Sequence, residues 1–395
     1  MRRALFAVYA VFIGSGFSFA SWAARIPQVR DSLHVDPGQL GLILLAVAAG
    51  SILSIPLSGT LIAKIGEARA IAVVSTVLAL GLVVVGIGSR IGVAPVCVGL
   101  WLIGFGNGAW DVSMNVQGAT VERRVGKSVM SRFHAGFSIG TVAGAGVGAI
   151  MVALHVPVTA HLVGVGVLIA LVMPVTAMRG FLPHVAEPKT GSSARTALSA
   201  WREPRTLLIG LFVLCMAFTE GTGNDWLGIA TIDGYHTSNT LGVVTLDVFL
   251  AAMTLGRWFG PGVLDRHGRV PVLRTCAVMA FIGLLLVVFG SVYAVELVGV
   301  LLWGLGASLG FPTGMSAAAD DPRHAAARVS AAASIAYLAF LAGPPVIGFV
   351  ANHQGVLHGL TVAVALLAVA IAVCGACAPL RVPADEPGDA TPVSR

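Results

Sequence analysis

The sequence predicts an all-α membrane protein with twelve transmembrane helices in two pseudo-symmetric six-helix bundles, and three observations carry that prediction. The first is composition: DEKR residues fill only 11% of the 395 positions and AVILMFWYC residues fill 56%, whereas soluble domains are about a quarter charged. A water-facing surface cannot be built from that supply. The second is length, because about twelve apolar stretches reach the ~20 residues that a spanning helix needs. The third is repetition, since residues of the first half recur in order in the second. Backbone in lipid must satisfy its own hydrogen bonds, and long apolar runs without a ten-residue alternation select helices over a β-barrel.

In chain order the approximate helix cores are 4–24, 39–62, 70–89, 94–117, 130–153, 158–179, 206–229, 240–262, 271–292, 295–317, 329–350 and 356–379. Met1, Arg2 and Arg3 resemble the start of a signal peptide. The apolar stretch continues to about Ala24, beyond the ~7 to 15 residues of a signal core, and is read as the first membrane helix. Lys and Arg then orient the chain, because cytoplasmic loops are enriched in them. With the N-terminus inside, the outer loops receive only Arg25, Arg30 and Arg90. The inner side receives Arg2, Arg3, Lys64, Arg69, Arg123, Arg124, Lys127, Arg132, Arg179, Lys189, Arg195, Arg202, Arg205, Arg266, Arg269, Arg274, Arg323, Arg328, Arg381 and Arg395. The expectation is a multi-pass protein of a bacterial inner membrane with both termini cytoplasmic. Its formal charge of +6 is a topology signal, and no nucleic-acid partner is expected.

The longest polar stretch, Arg179 to Arg205, contains Pro183, Pro188, Gly191, Ser192, Ser193 and Pro204. It divides the chain into a bundle over 1–180, a cytoplasmic loop over 181–205, a second bundle over 206–380 and a disordered tail over 381–395. Cys97, Cys215, Cys276, Cys374 and Cys377 all sit in apolar segments, where a thiol acts as a small hydrophobe. Cys374 and Cys377 have no second pair to complete a zinc site. No disulfide, metal or cofactor is expected.

The repeat is visible residue by residue. Gly99, Leu102, Gly104 and Gly106 of the fourth helix recur as Gly299, Leu302, Gly304 and Gly306 of the tenth, and Ala143, Gly144 and Val147 recur as Ala342, Gly343 and Val346. The loop Lys64, Ile65, Gly66 is echoed by Arg266, His267, Gly268. With these features the chain resembles the major facilitator superfamily over nearly its whole length. That family's loop signature after helix two is matched by Gly59, Lys64 and Gly66, with Ala63 at its Asp position, and the second copy keeps Asp265, Arg266, His267, Gly268 and Arg269. The resemblance implies that this loop latches helices during conformational change. The run Gly104 to Asp111, with Asn107, Trp110 and then Asn115, is similar to the acid and Asn pair of fucose/proton symporters. Glu220, Gly221, Asp225 and Trp226 are similar to a less characterised bacterial branch. The fucose group also uses a first-helix acid, which is absent between Met1 and Arg30. Drug exporters carry a proline in their glycine-rich fifth helix. This one has Gly136, Gly140, Gly144, Gly146 and Gly148 without it, in spacings that allow close helix packing.

Ionisable side chains at membrane depth are functional candidates by default. Asp111 is expected ~12 Å and His134 ~8 Å from the cytoplasmic ends of their helices, so the two are candidate neighbours, with Asn115 one turn from Asp111 on the same face. Glu220 and Asp247 are expected in the outer half of the second bundle, with Asp225 near the outer mouth. Asp111, His134, Glu220 and Asp247 are therefore the proton-coupling candidates. Asn107, Trp110, Asn115, Asp225 and Trp226 are the substrate-binding candidates, and Gly59, Lys64, Gly66, Asp265, Arg266 and Gly268 form the conformational loops. No buried Lys or Arg partner is evident for the acids, which favours proton coupling over anion binding. Arg25 and Arg257 read as interface anchors with snorkelling stems.

The function expected is secondary active transport of a small solute by alternating access, coupled to protons, by a monomer in the lipid bilayer. The alternatives are a drug or metabolite exporter working by proton exchange, or a transport-inactive sensor. An enzyme is not expected: the chain has no zinc-protease, nucleophile-elbow or ATP-binding motif.

Overall fold

The computed structural model describes residues 1–126, 129–183, 199–321 and 324–380. Lys127, Lys189, Arg195, Arg323, Arg381 and Arg395, most of the expected central loop and all of the expected tail lie outside the described residues. Every regular element described is a helix.

Among the described residues eleven helices are long and apolar enough to cross a membrane, and the longest, Pro37–Gly88, has 52 residues. It is interrupted at Gly66, whose φ of 76° and ψ of 163° are not helical, so the described residues form twelve segments long enough to cross. In order they are α1 (Arg2–Leu33, with a turn at Ala24 and Arg25), α2 (37–65), α3 (67–88), α4 (Val93–Val125), α5 (Met130–Ala153) and α6 (Val158–Gly180). The second set is α7 (Pro204–Tyr235), α8 (Asn239–His267), α9 (Arg269–Phe289), α10 (Tyr293–Ala318), α11 (Ala325–Gln354) and α12 (Val356–Cys377). Local chemistry sets several ends. Asp36 and Gln39 form a reciprocal capping box at the start of α2, with Pro37 in its first turn. Glu122 accepts from the Val129 and Met130 amides, both at 2.6 Å, which holds the start of α5 against the end of α4.

The repeated glycines are helix crossings. A Cβ on Gly81 of α3 would lie 2.7 Å from Gly99 O of α4, and one on Gly283 of α9 would lie 2.5 Å from Gly299 O of α10. Gly104 approaches Val47 O of α2 as Gly304 approaches Phe249 O of α8, with built Cβ distances of 1.9 and 2.6 Å. Both halves thus bring a third helix onto two others through the same positions. The hinge repeats as well, since Gly268 has φ 80° and ψ 163°, nearly the values of Gly66. That region is open essentially to glycine alone. The fifth-helix glycines act as their spacing predicts: built Cβ atoms on Gly140 and Gly144 would meet Ile13 O and Phe17 O of α1 at 2.1 and 2.5 Å.

Because consecutive helices run antiparallel, the Arg-rich connections collect at one end of the molecule, which we call the basic end. At the opposite end the halves are sealed together. Gly41 of α2 abuts Pro344 O of α11 and Gly348 of α11 abuts Pro37 O of α2, with built Cβ distances of 2.4 and 2.5 Å. Arg30 of α1 pairs with Asp233 of α7, one contact being 3.1 Å.

Two expectations about arginine are corrected here. Arg25 does not snorkel: it is 2% exposed, donates to His161 Nδ1 at 2.9 Å and Val156 O at 3.1 Å, and fastens α1 to α6. Arg257, likewise read as an anchor, points into the interior and pairs with Glu220. Charge pairs tie the second half together at the basic end. Asp320 accepts from Arg205 at 2.8 Å and from Arg269 at 3.0 Å, and Glu203 accepts from Arg328 at 2.6 Å. The Arg328 guanidinium holds the Glu203 carboxyl below its usual range.

Candidate functional site

Between the halves a cavity of about 950 Å³ reaches the basic end, within the size range of small-molecule sites. Its rim includes Asp265, Gly268 and Arg269. Four of its polar groups come from four different helices: Asp111 from α4, His134 from α5, Glu220 from α7 and Arg257 from α8.

On the first half the groups form a chain. Asn115 Nδ2 donates to Asp111 Oδ1 at 3.1 Å, and Asn115 Oδ1 lies 3.1 Å from His134 Nε2. With the amide oriented this way, the imidazole must donate from Nε2. Asp111 and His134 are therefore held by a shared amide instead of touching, and each keeps a face to the cavity. Phe12 of α1 packs edge-on against the imidazole, with centroids 5.2 Å apart. Asp111 lies 14 residues, or ~21 Å, from the end of α4, deeper than its sequence-based position, because α4 runs on to Val125 and stops at the left-handed Gly126.

On the second half Arg257 donates to Glu220 Oε1 at 2.8 Å and to Ser308 O at 3.3 Å. This corrects the expectation that the acids lack a cationic partner. It also moves Glu220 from the outer half into the same cavity as Asp111. The missed residue was legible in part, since an intramembrane carboxylate demands a partner and α8 carries a single arginine within its apolar core. Apolar side chains complete the wall, among them Met114, Phe137, Trp258, Leu264, Phe311 and Phe340.

Asn107, Trp110, Asp225, Trp226 and Asp247 do not line this cavity. Trp110 and Trp226 are both 0% exposed with indole nitrogens unpaired among the described residues, so they are packing residues that present no face to a solute there. Asn107, one turn from Asp111, keeps a buried, unpaired Oδ1. Asp225 is half-buried, and Asp247 lies against α5, away from the cavity. Of the loop candidates, Asp265 and Gly268 are at the cavity rim, whereas Lys64 and Arg266 are exposed at the basic end. Gly59 lies within α2 with nothing near its built Cβ, so no close approach requires glycine there. No cluster of metal-ligating side chains occurs among the described residues.

The Major Facilitator Superfamily profile matches residues 6–337 and 228–395. An uncharacterised MFS-type transporter of Yersinia pestis is 32% identical over 371 residues, covering 91% of this chain and 92% of that protein. Among solved structures, the nucleoside transporter NupG has a TM-score of 0.73 at 14% identity, over 95% of this chain and 98% of that one. The E. coli fucose:proton symporter FucP has a TM-score of 0.58 at 17% identity, over 94% and 98%. At these identities the structural likeness is one of fold. The sequence matches reach further, and with twelve crossing segments in two matching halves around a central cavity, the chain belongs to the Major Facilitator Superfamily of membrane transporters.

Proposed function

We propose that this protein moves a small solute across the bacterial inner membrane by alternating access, driven by a proton gradient. The carrying observation is a cavity that reaches the basic end, with the halves in contact at the other, in which Asp111, Asn115 and His134 of one half face Glu220 and Arg257 of the other. The basic end is cytoplasmic in this reading, so the state is inward-facing, and rocking of the halves about the cavity would expose the same groups outside. Asp111 has no cationic partner among the described residues, and binding a proton there removes the cost of carrying its charge through the membrane. Glu220 and Arg257 neutralise each other, and protonation of Glu220 frees the guanidinium for the solute. Asn115 holds Asp111 and His134 in place without itself relaying a proton.

The apolar wall favours a second reading within the same mechanism, export of an amphiphilic compound in exchange for protons. Flux in proteoliposomes under an imposed pH gradient, screened over sugars, nucleosides and small amphiphiles, tests both, and its direction separates them. Gradient-driven flux is expected to fall at least tenfold in Asp111→Asn and in Glu220→Gln. Flux that ignores the gradient and survives both substitutions sinks proton coupling.

A further inference from the structure

Asp247 stands apart from this cavity. It lies ten residues before Arg257 on α8, ~15 Å nearer the sealed end, and no hydrogen bond or ion pair reaches it among the described residues. It faces the other half: a Cβ built on Gly146 of α5 would sit 3.4 Å from Asp247 Oδ2. Beyond His134 and Arg257 at its cavity end, the rest of the α5–α8 seam is neutral. Towards the cavity Thr254 Oγ1 lies 3.5 Å from Ser138 O, and towards the sealed end Val243 packs with Ala24 and Val152.

Among the described residues, nothing around the seam compensates a charge on Asp247. From Ala135 to Ala153, α5 carries no titratable side chain. On α7, Glu220 is paired with Arg257, and Asp225 is another acid. On α10, Tyr293 meets Thr245 and Glu296 accepts from Thr231. Arg269, Arg274 and Cys276 of α9 lie towards the basic end, and Arg25 of α1 is turned to His161. A carboxylate in that setting is tolerated when neutral or when water reaches it.

We propose that Asp247 is a proton-binding site separate from the cavity and that it governs the α5–α8 seam, which closes over the neutral carboxyl and opens to the outside when the proton leaves. The proposal rests on the alternating-access reading above. Gly146 contributes by having no side chain, so that no protein group substitutes for the proton. The closed state holds one proton more than the open one, so the open-to-closed ratio rises by up to about tenfold per pH unit.

Spin labels on cysteines at Leu154, at the end of α5, and Leu241, at the start of α8, in nanodiscs and with Cys97→Ser, read the seam as a distance between pH 5 and 9. The long-distance population is expected to grow with pH in the parent protein and to stay minor at every pH in Asp247→Asn. Gly146→Ser keeps Asp247 and offers its carboxylate a hydroxyl, so it should move the transition to higher pH. A seam indifferent to pH, or an Asp247→Asn variant that follows the parent, overturns the proposal. An Asp247-dependent seam in a protein that moves no solute would instead overturn the transport reading and leave the gate standing. Proton-driven flux with a seam that ignores Asp247 would do the reverse.

Discussion

At the scale of single residues, glycine divides into positions that need it and positions that do not. Gly66 and Gly268 have φ of 76° and 80°, and nothing lies near a Cβ built on Gly268, so its cost on substitution is purely conformational. Gly268→Ala is expected to lower stability by about 1–3 kcal/mol, read as a lower thermal midpoint in detergent. Gly59→Ala, in open space within a helix, should be neutral or stabilising by up to about 1 kcal/mol. Equal losses at both positions would mean that Gly59 has a partner the packing does not show. The same scale explains Trp110 and Trp226. Each sits beside an acid in sequence, but neighbours in a helix point about 100° apart, and the tryptophans turn into the core.

At the scale of elements, the basic end of the second half is tied by Glu203 and Arg328, which join the start of α7 to the start of α11. The Glu203 carboxyl is held low by that guanidinium, so its contribution is present above the carboxylate's unfolded value and is lost as pH falls through the folded one. Both groups are partly exposed, which limits the contribution to about 0.5 kcal/mol. Glu203→Gln should therefore lower the thermal midpoint slightly at pH 7 and flatten its decline on acidification below about pH 4.5. A variant whose acid decline matches the parent's would assign that decline to other carboxylates. At the first-half hinge Ala63 stands at the signature's Asp position. In the second half Arg269 turns to Asp320 and leaves Asp265 at the cavity rim.

At the scale of the whole molecule, the sealed end offers a direct test of alternating access. A Cβ built on Gly38 of α2 lies 3.6 Å from Asn352 Cβ of α11, inside the range of disulfide geometry. The pair Gly38→Cys and Asn352→Cys is expected to oxidise readily and abolish solute flux, with recovery on reduction. Unimpaired flux with the disulfide formed would mean that the halves need not separate there. Flux lost in both redox states would point to packing damage instead.

Hydropathy and periodicity are local properties of a chain, and through them the sequence by itself determined the membrane class, the helix positions and the duplication. The Gly104/Gly304 and Gly66/Gly268 pairs were legible because a close crossing or a positive φ admits few other residues. Which acids share a cavity was decided only in three dimensions. Glu220 joined Asp111 while Asp247 did not, because depth along separate helices says nothing of how each helix is rotated or which end of the bundle is closed. The Arg257–Glu220 and Arg25–His161 contacts escaped sequence reasoning for the same reason. Their partners lie 37 and 136 residues apart, and a snorkelling arginine and a buried one look alike until the neighbouring helices are in place.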